Sequence, residues 1–525
     1  MRARPNVVVF MADQMTPLSL PFHGHPATRA PHMAKAAAEG VVFDSASCNS
    51  PLCAPARAAF MSGRLPSRIG TYDNAAEFPA EVPTFAHGLR AAGYRTILSG
   101  KMHFCGADQL HGFEERLTTD IYPSDFGWTP NWDRPDERQD WYHNMSSVLD
   151  AGPCVRTNQL DYDDEVVFAA ERKLYEIVRG KDERPFFLVV SMTHPHDPFA
   201  IPREYWDRYD DAEIPLPVAL PPERMDPHSR RVRAMCGTDL HPPSEAQVRA
   251  ARRAYYGAIS YVDDQFGRLR RALAATGLSE DTIVVITSDH GEMLGERGLW
   301  YKMTFFEGAV RIPLVVHAPG RFAPRRVPES VSAVDLLPTF LDLTGSPPLP
   351  TAIDGRSLLP HLEGRGGHDE ALGEYLAEGA HAPIVMIRRG RWKFVHSPAD
   401  PDQLYDLRAD PGELANLAGT AEGREVAAAF REETARAWDL QALHGAVGDS
   451  QRRRRFVDAA MRQGARFSWD FQPEVDASRQ YVRGHMDLDD VEAMARFPRV
   501  NGGGHAPPRS RQESTSKNRP EGEEP

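Results

Sequence analysis

The amino-acid sequence predicts an α/β fold: a large, mostly parallel sheet flanked by helices, a smaller C-terminal α+β subdomain and a C-terminal extension. Three observations predict it. The runs VVVFMA (7–12), FFLVVSM (186–192) and TIVVITS (282–288) are continuously apolar, as strands covered on both faces require. Segments with helical patterning separate them up to about residue 365. Chemically active residues follow the strand ends: Asp13 after the first run, His194 after the second and Asp289 after the third. In open parallel sheets, ligands gather at those carboxyl ends.

Taken in order, residues 5–12 form the first strand, and 30–40 form a helix that stops at Gly40 before the short strand VVFDSA. Residues 57–62 read as helical. Residues 84–92 form a helix closed by Gly93, and the strand YRTILSG follows. Helices are expected over 165–179 and 246–275, and a further strand over 313–317. After Gly366 the texture changes: IVMIRRGRWKFVHSP and DQLYDLRADPGE read as short strands joined by turns, followed by a helix over about 425–440. The expected divisions are a catalytic α/β domain (1–365), an α+β subdomain (366–444), an extension (445–499) and a tail (500–525) disordered by composition. The extension carries Phe467, Trp469 and Phe471. These aromatics suit either contacts between subunits of a homo-oligomer or packing on their own subunit's body.

The chain has 525 residues, 41% hydrophobic and 26% charged, an ordinary globular balance. A net charge of −13 argues against a nucleic-acid partner, and the one basic run, Arg452 to Arg455, reads as a solvated helix start or a subunit contact. No 18-residue apolar stretch exists, so no membrane span is expected, and residues 7–12 are too short for a signal-peptide core. Five cysteines (48, 53, 105, 154 and 236) are too sparse and unpatterned for a disulfide framework. The expected compartment is the reducing cytoplasm, where one cysteine can be kept for chemistry.

Cys53-Ala54-Pro55-Ala56-Arg57 concentrates that chemistry. Taken alone, Cys53 suits a small buried residue before a helix, or a thiol acidified at a helix N-terminus. Asp13-Gln14 and Asp289-His290 end separate strands, where paired oxygen ligands can cradle a hard cation. Gly100-Lys101-Met102-His103 ends another strand; alone, it would be a solvated strand end.

Cys-x-Pro-x-Arg continued as AAFMSGR resembles the signature of the sulfatase family, within the alkaline phosphatase superfamily. That resemblance implies oxidation of Cys53 to formylglycine by a formylglycine-generating enzyme. A thiolate attacking a sulfate ester would be trapped as a stable adduct. An aldehyde hydrate has two geminal hydroxyls: one attacks sulfur, and deprotonation of the other expels sulfate. The resemblance also implies one divalent cation held by Asp13, Gln14, residue 53, Asp289 and His290. Calcium is the expected ion. Gln14 and His290 stand where the family usually has a second Asp and an Asn, which keeps manganese open. By the same resemblance Arg57 holds nucleophile and metal, while Lys101 and His103 contact the sulfate and the formylglycine hydroxyl, with His103 as base. His194 protonates the departing alcohol, Lys302 binds a sulfate oxygen and Asn74 is an oxygen ligand for substrate.

Longer stretches narrow the resemblance. Residues 49–106, 108–130 and the C-terminal pieces SQRRRRFV, DFQP and YVRGHMDLDD resemble the choline sulfatases, and the likeness covers most of 5–499. The implied substrate is choline sulfate, a small-molecule sulfate ester. A quaternary ammonium is best held by aromatic faces and an acid. Tyr122, Phe126, Trp128, Trp132, Trp141 and Tyr142 crowd one predicted loop, and the expected cage is Trp128, His143 and Glu378. Two other functions fit the same residues less fully: a phosphonate monoester or phosphodiester hydrolase of the same superfamily, and a non-catalytic sensor of sulfated metabolites.

Overall fold

In the computed structural model, which describes residues 4–465, 468–477, 481, 486 and 488–498, the three apolar runs become neighbouring strands of one eight-stranded sheet. β1 (Asn6–Ala12) lies between β6 (Phe186–Met192) and β8 (Thr282–Thr287), and Val8 pairs with both Leu188 and Val284. All three strands are buried along their whole length, which is why their sequences do not alternate. The sheet order is β10-β2-β9-β8-β1-β6-β3-β4, where β2 is Val41–Ser47, β3 Arg95–Gly100, β4 Glu115–Arg116, β9 Leu314–His317 and β10 Arg325–Ser332. Only β9 runs antiparallel to its neighbours.

Helices cover both faces. Phe187 and Phe10 fall on opposite faces, because Val7 pairs with Phe187 and side chains alternate along β1. Phe187 packs on Phe85 and Phe340, from helices Phe85–Ala91 and Leu336–Thr344, at 5.1 and 5.0 Å between rings. Phe10 meets Phe266 of helix Glu245–Ala275 at 5.1 Å. Two elements differ from expectation. The helix expected from residue 165 starts at Asn158, where the Thr157 hydroxyl accepts from the Leu160 N–H. β10 was not foreseen: it contains Pro328 and a register shift between Val327 and Ser330, both features of a sheet edge.

The C-terminal subdomain is an antiparallel sheet, β11 (Ala371–Tyr375) to β12 (Ile384–Arg389), β13 (Trp392–Ser397) and β14 (Asp400–Asp406), covered by helix Gly423–Ala437. A buried ionic joint fixes it to the large sheet's side: Glu307 takes Arg388 and Lys393 at 3.1 Å, and Lys393 also meets Glu413. Helix Leu440–Met461 runs across the expected division at 444/445. The run Arg452 to Arg455 does not start that helix. It lies in the middle, with Arg454 buried against Asp73. Trp469 packs on Phe126 at 5.2 Å, and the Arg116 guanidinium lies over Phe471 at 5.1 Å, so these aromatics pack on their own subunit's body. Phe467 and the tail from 500 lie outside the described residues.

Candidate active site

Helix Cys53–Ser62 begins at Cys53 itself, four residues earlier than expected, and is buried throughout. Leu52 offers no side-chain cap, and Asn74 Oδ1 instead accepts from the Ala54 N–H at 3.0 Å. Asn74, expected as an oxygen ligand for substrate, thus has one acceptor site of its oxygen engaged by the helix start that carries Cys53. One helical turn after Cys53, Arg57 is completely buried between two strand ends. Its Nε donates to Asp289 Oδ2 at 2.8 Å, its Nη2 to Asp13 Oδ2 at 3.0 Å and its Nη1 to the Lys101 carbonyl and Ser191 Oγ. The helix is thus referenced to the carboxyl ends of β1, β3, β6 and β8 through one guanidinium.

Asp13, Cys53, Asp289 and His290 bring one ligand atom each to within 4.8 Å of one another, all buried. Cys53 Sγ lies 3.2 Å from His290 Nε2. Burial alone would raise the Cys53 thiol, but Lys101, Lys302 and His290 outweigh it and hold its pKa well below the ordinary range. Burial and the Cys53 charge act to raise Asp13, yet Lys101, His196 and Arg57 keep its carboxyl far below the usual range. Lys101 reaches this centre because β3 ends at Gly100, with φ of 108°; a Cβ there would meet the Ser191 carbonyl at 2.0 Å. Its ammonium touches Asp13 and lies 3.9 Å from the centre of the Tyr122 ring. Gln14 and His103 also sit at positive φ, 62° and 54°. Such backbone strain in non-glycine residues collects at functional sites. His103 is close enough to Cys53 for a side-chain hydrogen bond that helps to lower the thiol pKa.

On the other side, Lys302 Nζ donates to Gln14 Oε1 and lies 2.8 Å from His196 Nε2. Burial opposes its charge, but Cys53, Asp197 and Asp13 raise its pKa. His196 is the histidine brought to Lys302. His194, named for the leaving-group role from sequence, is instead anchored by Asp163, with Nδ1 at 2.7 Å from Oδ2 and its own N–H donating to the same oxygen. Gln14 is likewise shared: besides accepting from Lys302, its amide donates to Glu292.

The comparisons follow this geometry. Residues 5–346 match the "Sulfatase" family model, and residues 445–497 match "Choline sulfatase enzyme C terminal". The chain belongs to the sulfatase family. It is accordingly a sulfuric ester hydrolase. A choline-sulfatase of Rhizobium meliloti is 48% identical over 94% of this chain and 99% of its own. A Clostridium perfringens arylsulfatase is 27% identical over 80% of this chain and 92% of its own. Among solved structures, a phosphonate monoester hydrolase of Agrobacterium radiobacter superposes with a TM-score of 0.70 at 27% identity, covering 84% of this chain and 96% of that one.

The sulfatase site residues present here fit a divalent cation. Asp13 Oδ1 is buried without a hydrogen-bond partner, beside Asp289, His290 and Cys53. Two carboxylates and an imidazole form a mixed oxygen and nitrogen donor set. The aromatic loop between β4 and helix Ser146–Leu149 closes over the sulfatase centre. Trp128 meets His103 edge-on at 5.8 Å and Tyr122 at 5.3 Å, and Trp141 stacks on Trp128 at 6.5 Å. Tyr122 OH lies 3.3 Å from His196, and the His196 and His143 rings are 6.1 Å apart. Burial first, then Lys302, lowers His143 to about 3. Glu378 is buried with Oε2 unpartnered; burial pushes it up to about 7, while Lys302 and Cys53 both act on it electrostatically. The sequence named Tyr122 only among the loop aromatics, placed His194-Pro195-His196 on the leaving-group side with His194 as the donor, quoted Glu292 only within the segment Asp289-His290-Gly291-Glu292, and gave no sign of Asp163 or Asp197. His-Pro-His at a strand end was the signal for His196.

Proposed function

We propose that this chain hydrolyses choline sulfate to choline and sulfate, with a formylglycine made from Cys53 and one divalent cation, calcium. The observation that carries this reading is the juxtaposition of two sets of residues. Cys53, Lys101, His103 and Lys302 form an anion-binding centre, and Trp128, His143 and the unpartnered Glu378 sit beside it. The first set suits a sulfate group and the second a quaternary ammonium. The 48% identity to a choline-sulfatase supports it.

The formylglycine hydrate supplies the nucleophilic hydroxyl, and the cation, held by Asp13, Asp289 and His290 with Gln14 beside them, supplies charge that lowers its proton affinity. Arg57 fixes both aspartates and screens their mutual repulsion. Lys101 and Lys302 neutralise the sulfate oxygens from opposite sides. His103, within hydrogen-bond reach of residue 53, holds the proton released on the nucleophile's side. His196 Nε2, 2.8 Å from the Lys302 ammonium, takes a proton from Lys302 and passes it to the bridging oxygen of the departing alcohol, with Nδ1 held by the Asp197 carbonyl and Tyr122 OH 3.3 Å from the ring. His194 with Asp163 buttresses the end of β6.

The likeness to a phosphonate monoester hydrolase favours one second reading, hydrolysis of phosphonate monoesters. Steady-state kinetics on choline sulfate and a phenyl phosphonate monoester, using protein made with a formylglycine-generating enzyme, separates the two. The expected kcat/KM is higher for choline sulfate, and the reverse order overturns the proposal. Mass spectrometry of the peptide spanning residue 53 checks the aldehyde. Cytoplasmic residence is supported by five free thiols, and among the described residues no helix is long and apolar enough to cross a membrane. Assembly as a homo-oligomer is supported by exposed Phe456 and Val475 on the extension.

A further inference from the structure

The aromatic loop has no strand or helix of its own between β4 and helix Ser146–Leu149, yet it carries Trp128. Asp120 ties its start to Met102, His103 and Arg116, Ser124 bonds Asp470, and helix Leu440–Met461 holds it at two further points around Trp128. Of the four consecutive arginines 452–455, only Arg454 is buried. Its guanidinium donates to both carboxylate oxygens of Asp73, at 2.8 and 2.7 Å, and to Thr129 Oγ1 at 3.0 Å. Asp73 itself is completely buried. Thr129 follows Trp128, and Asp73 precedes Asn74, whose oxygen holds the helix start at Cys53. One turn earlier, Gln451 Oε1 accepts from the Trp132 N–H at 2.8 Å, and Trp132 Nε1 donates to the Ala377 carbonyl at 3.0 Å, next to Glu378.

We propose that Arg454 and Gln451 are positioning residues for cation recognition: the extension fixes Trp128 and Glu378 relative to the nucleophile and so sets the preference for a quaternary-ammonium ester. This rests on the choline sulfate reading above. The physical basis is the geometry dependence of cation–π binding. An aromatic face must stay within a few tenths of an ångström of its place to hold an ammonium group that offers no hydrogen bond. A bidentate, buried guanidinium–carboxylate pair is a rigid means of fixing it. The same helix lines, with Arg455, Asp458 and Arg462, a cavity of about 620 Å³ whose other wall includes Trp128 and Trp141. Gln451 and Arg454 both fall in the segment that matches the choline sulfatase C-terminal model.

The test compares choline sulfate with 3,3-dimethylbutyl sulfate, which has the same shape with carbon in place of the charged nitrogen. Three full-length variants are measured with the wild type: Arg454→Gln, Gln451→Ala, and the double variant Asp73→Asn/Arg454→Gln, which leaves no unpaired buried charge. The expected result is a KM for choline sulfate raised about tenfold with kcat nearly unchanged, while KM for the neutral ester moves less than twofold. A merely structural role would move both substrates together. Equal losses on both esters, or an unchanged preference in variants that melt as the wild type does, overturns the inference alone. Should the arginine variants fail to fold, Gln451→Ala decides by the same criterion. A wild type with no preference for choline sulfate overturns the substrate reading, and this inference with it.

Discussion

Replacing His196 by alanine tests which of two closely spaced histidines faces the leaving group. His196 Nε2 lies 2.8 Å from Lys302 Nζ, and its Nδ1 lies 2.7 Å from the Asp197 carbonyl, so the ring is held from both ends. A positioned general acid contributes about 10²–10⁴-fold, or roughly 3–5 kcal/mol of barrier. Choline leaves as an alkoxide unless protonated, so His196→Ala should lose that full factor in kcat on choline sulfate. A 4-nitrophenyl ester departs as a stabilised anion and should lose less than about tenfold. His194→Ala removes one of three donors to the completely buried Asp163, leaving the backbone N–H groups of Thr193 and His194. Its expected cost is about 1–3 kcal/mol of stability with a small effect on kcat. The assay is single-turnover and steady-state kinetics on both esters, with melting curves for each variant. A leaving-group-dependent loss in His194→Ala that is absent in His196→Ala would refute the assignment.

Trp128→Ala should raise KM for choline sulfate about tenfold or more and spare the aryl ester, as loss of about 2 kcal/mol of desolvated cation–π attraction implies; equal losses would remove Trp128 from recognition. Arg57→Ala removes the shared guanidinium from two buried carboxylates, leaving Asp13 with Lys101 and Asp289 with backbone N–H groups, and should destabilise the fold by about 3–5 kcal/mol, read by chemical denaturation. Glu378 has its pKa raised, chiefly by burial, from 4.5 to about 7. Its protonated form is favoured in the folded state, so its stability contribution is complete below pH 4.5 and is lost as pH rises through about 7. Ionisation in that window supplies the charge a cation needs. KM for choline sulfate should therefore fall as pH rises through about 7, and Glu378→Gln should flatten that profile and gain stability over the wild type at higher pH. Chelation should abolish turnover and lower the melting temperature. Readdition of calcium should restore both, and recovery by manganese alone would reassign the ion.

The parts of the fold legible in the sequence were those whose burial is complete. β1, β6 and β8 are covered on both faces, so hydrophobicity alone marked them. β10 was illegible because only half its residues are buried and a proline interrupts it. The helix start at Asn158 was hidden by an acidic, polar first half whose stability comes from the Thr157 cap and packing. In the site, Cys53, Arg57, Asp13 and Asp289 lie at strand ends or on one helical turn, where local pattern fixes direction. His194 and His196 could not be separated, because which ring turns inward depends on Asp163 and Lys302, distant in sequence. The Asn74 contact was illegible for the same reason: its partner is a backbone amide exposed by the helix that begins at Cys53. The fixing of the aromatic loop depends on Arg454, whose partner Asp73 is 381 positions away.

Residue 53 is only 1% exposed, enclosed with Asp13, Asp289 and His290. Another protein could not reach the buried helix that carries it in that state. If residue 53 carries the formylglycine proposed above, a helper that makes it would have to act before this region compacts. Timing then becomes a determinant of output: a molecule that closes too early keeps its sulfur, and abundance measured by an antibody will overstate the working population whenever synthesis outruns the modifying step.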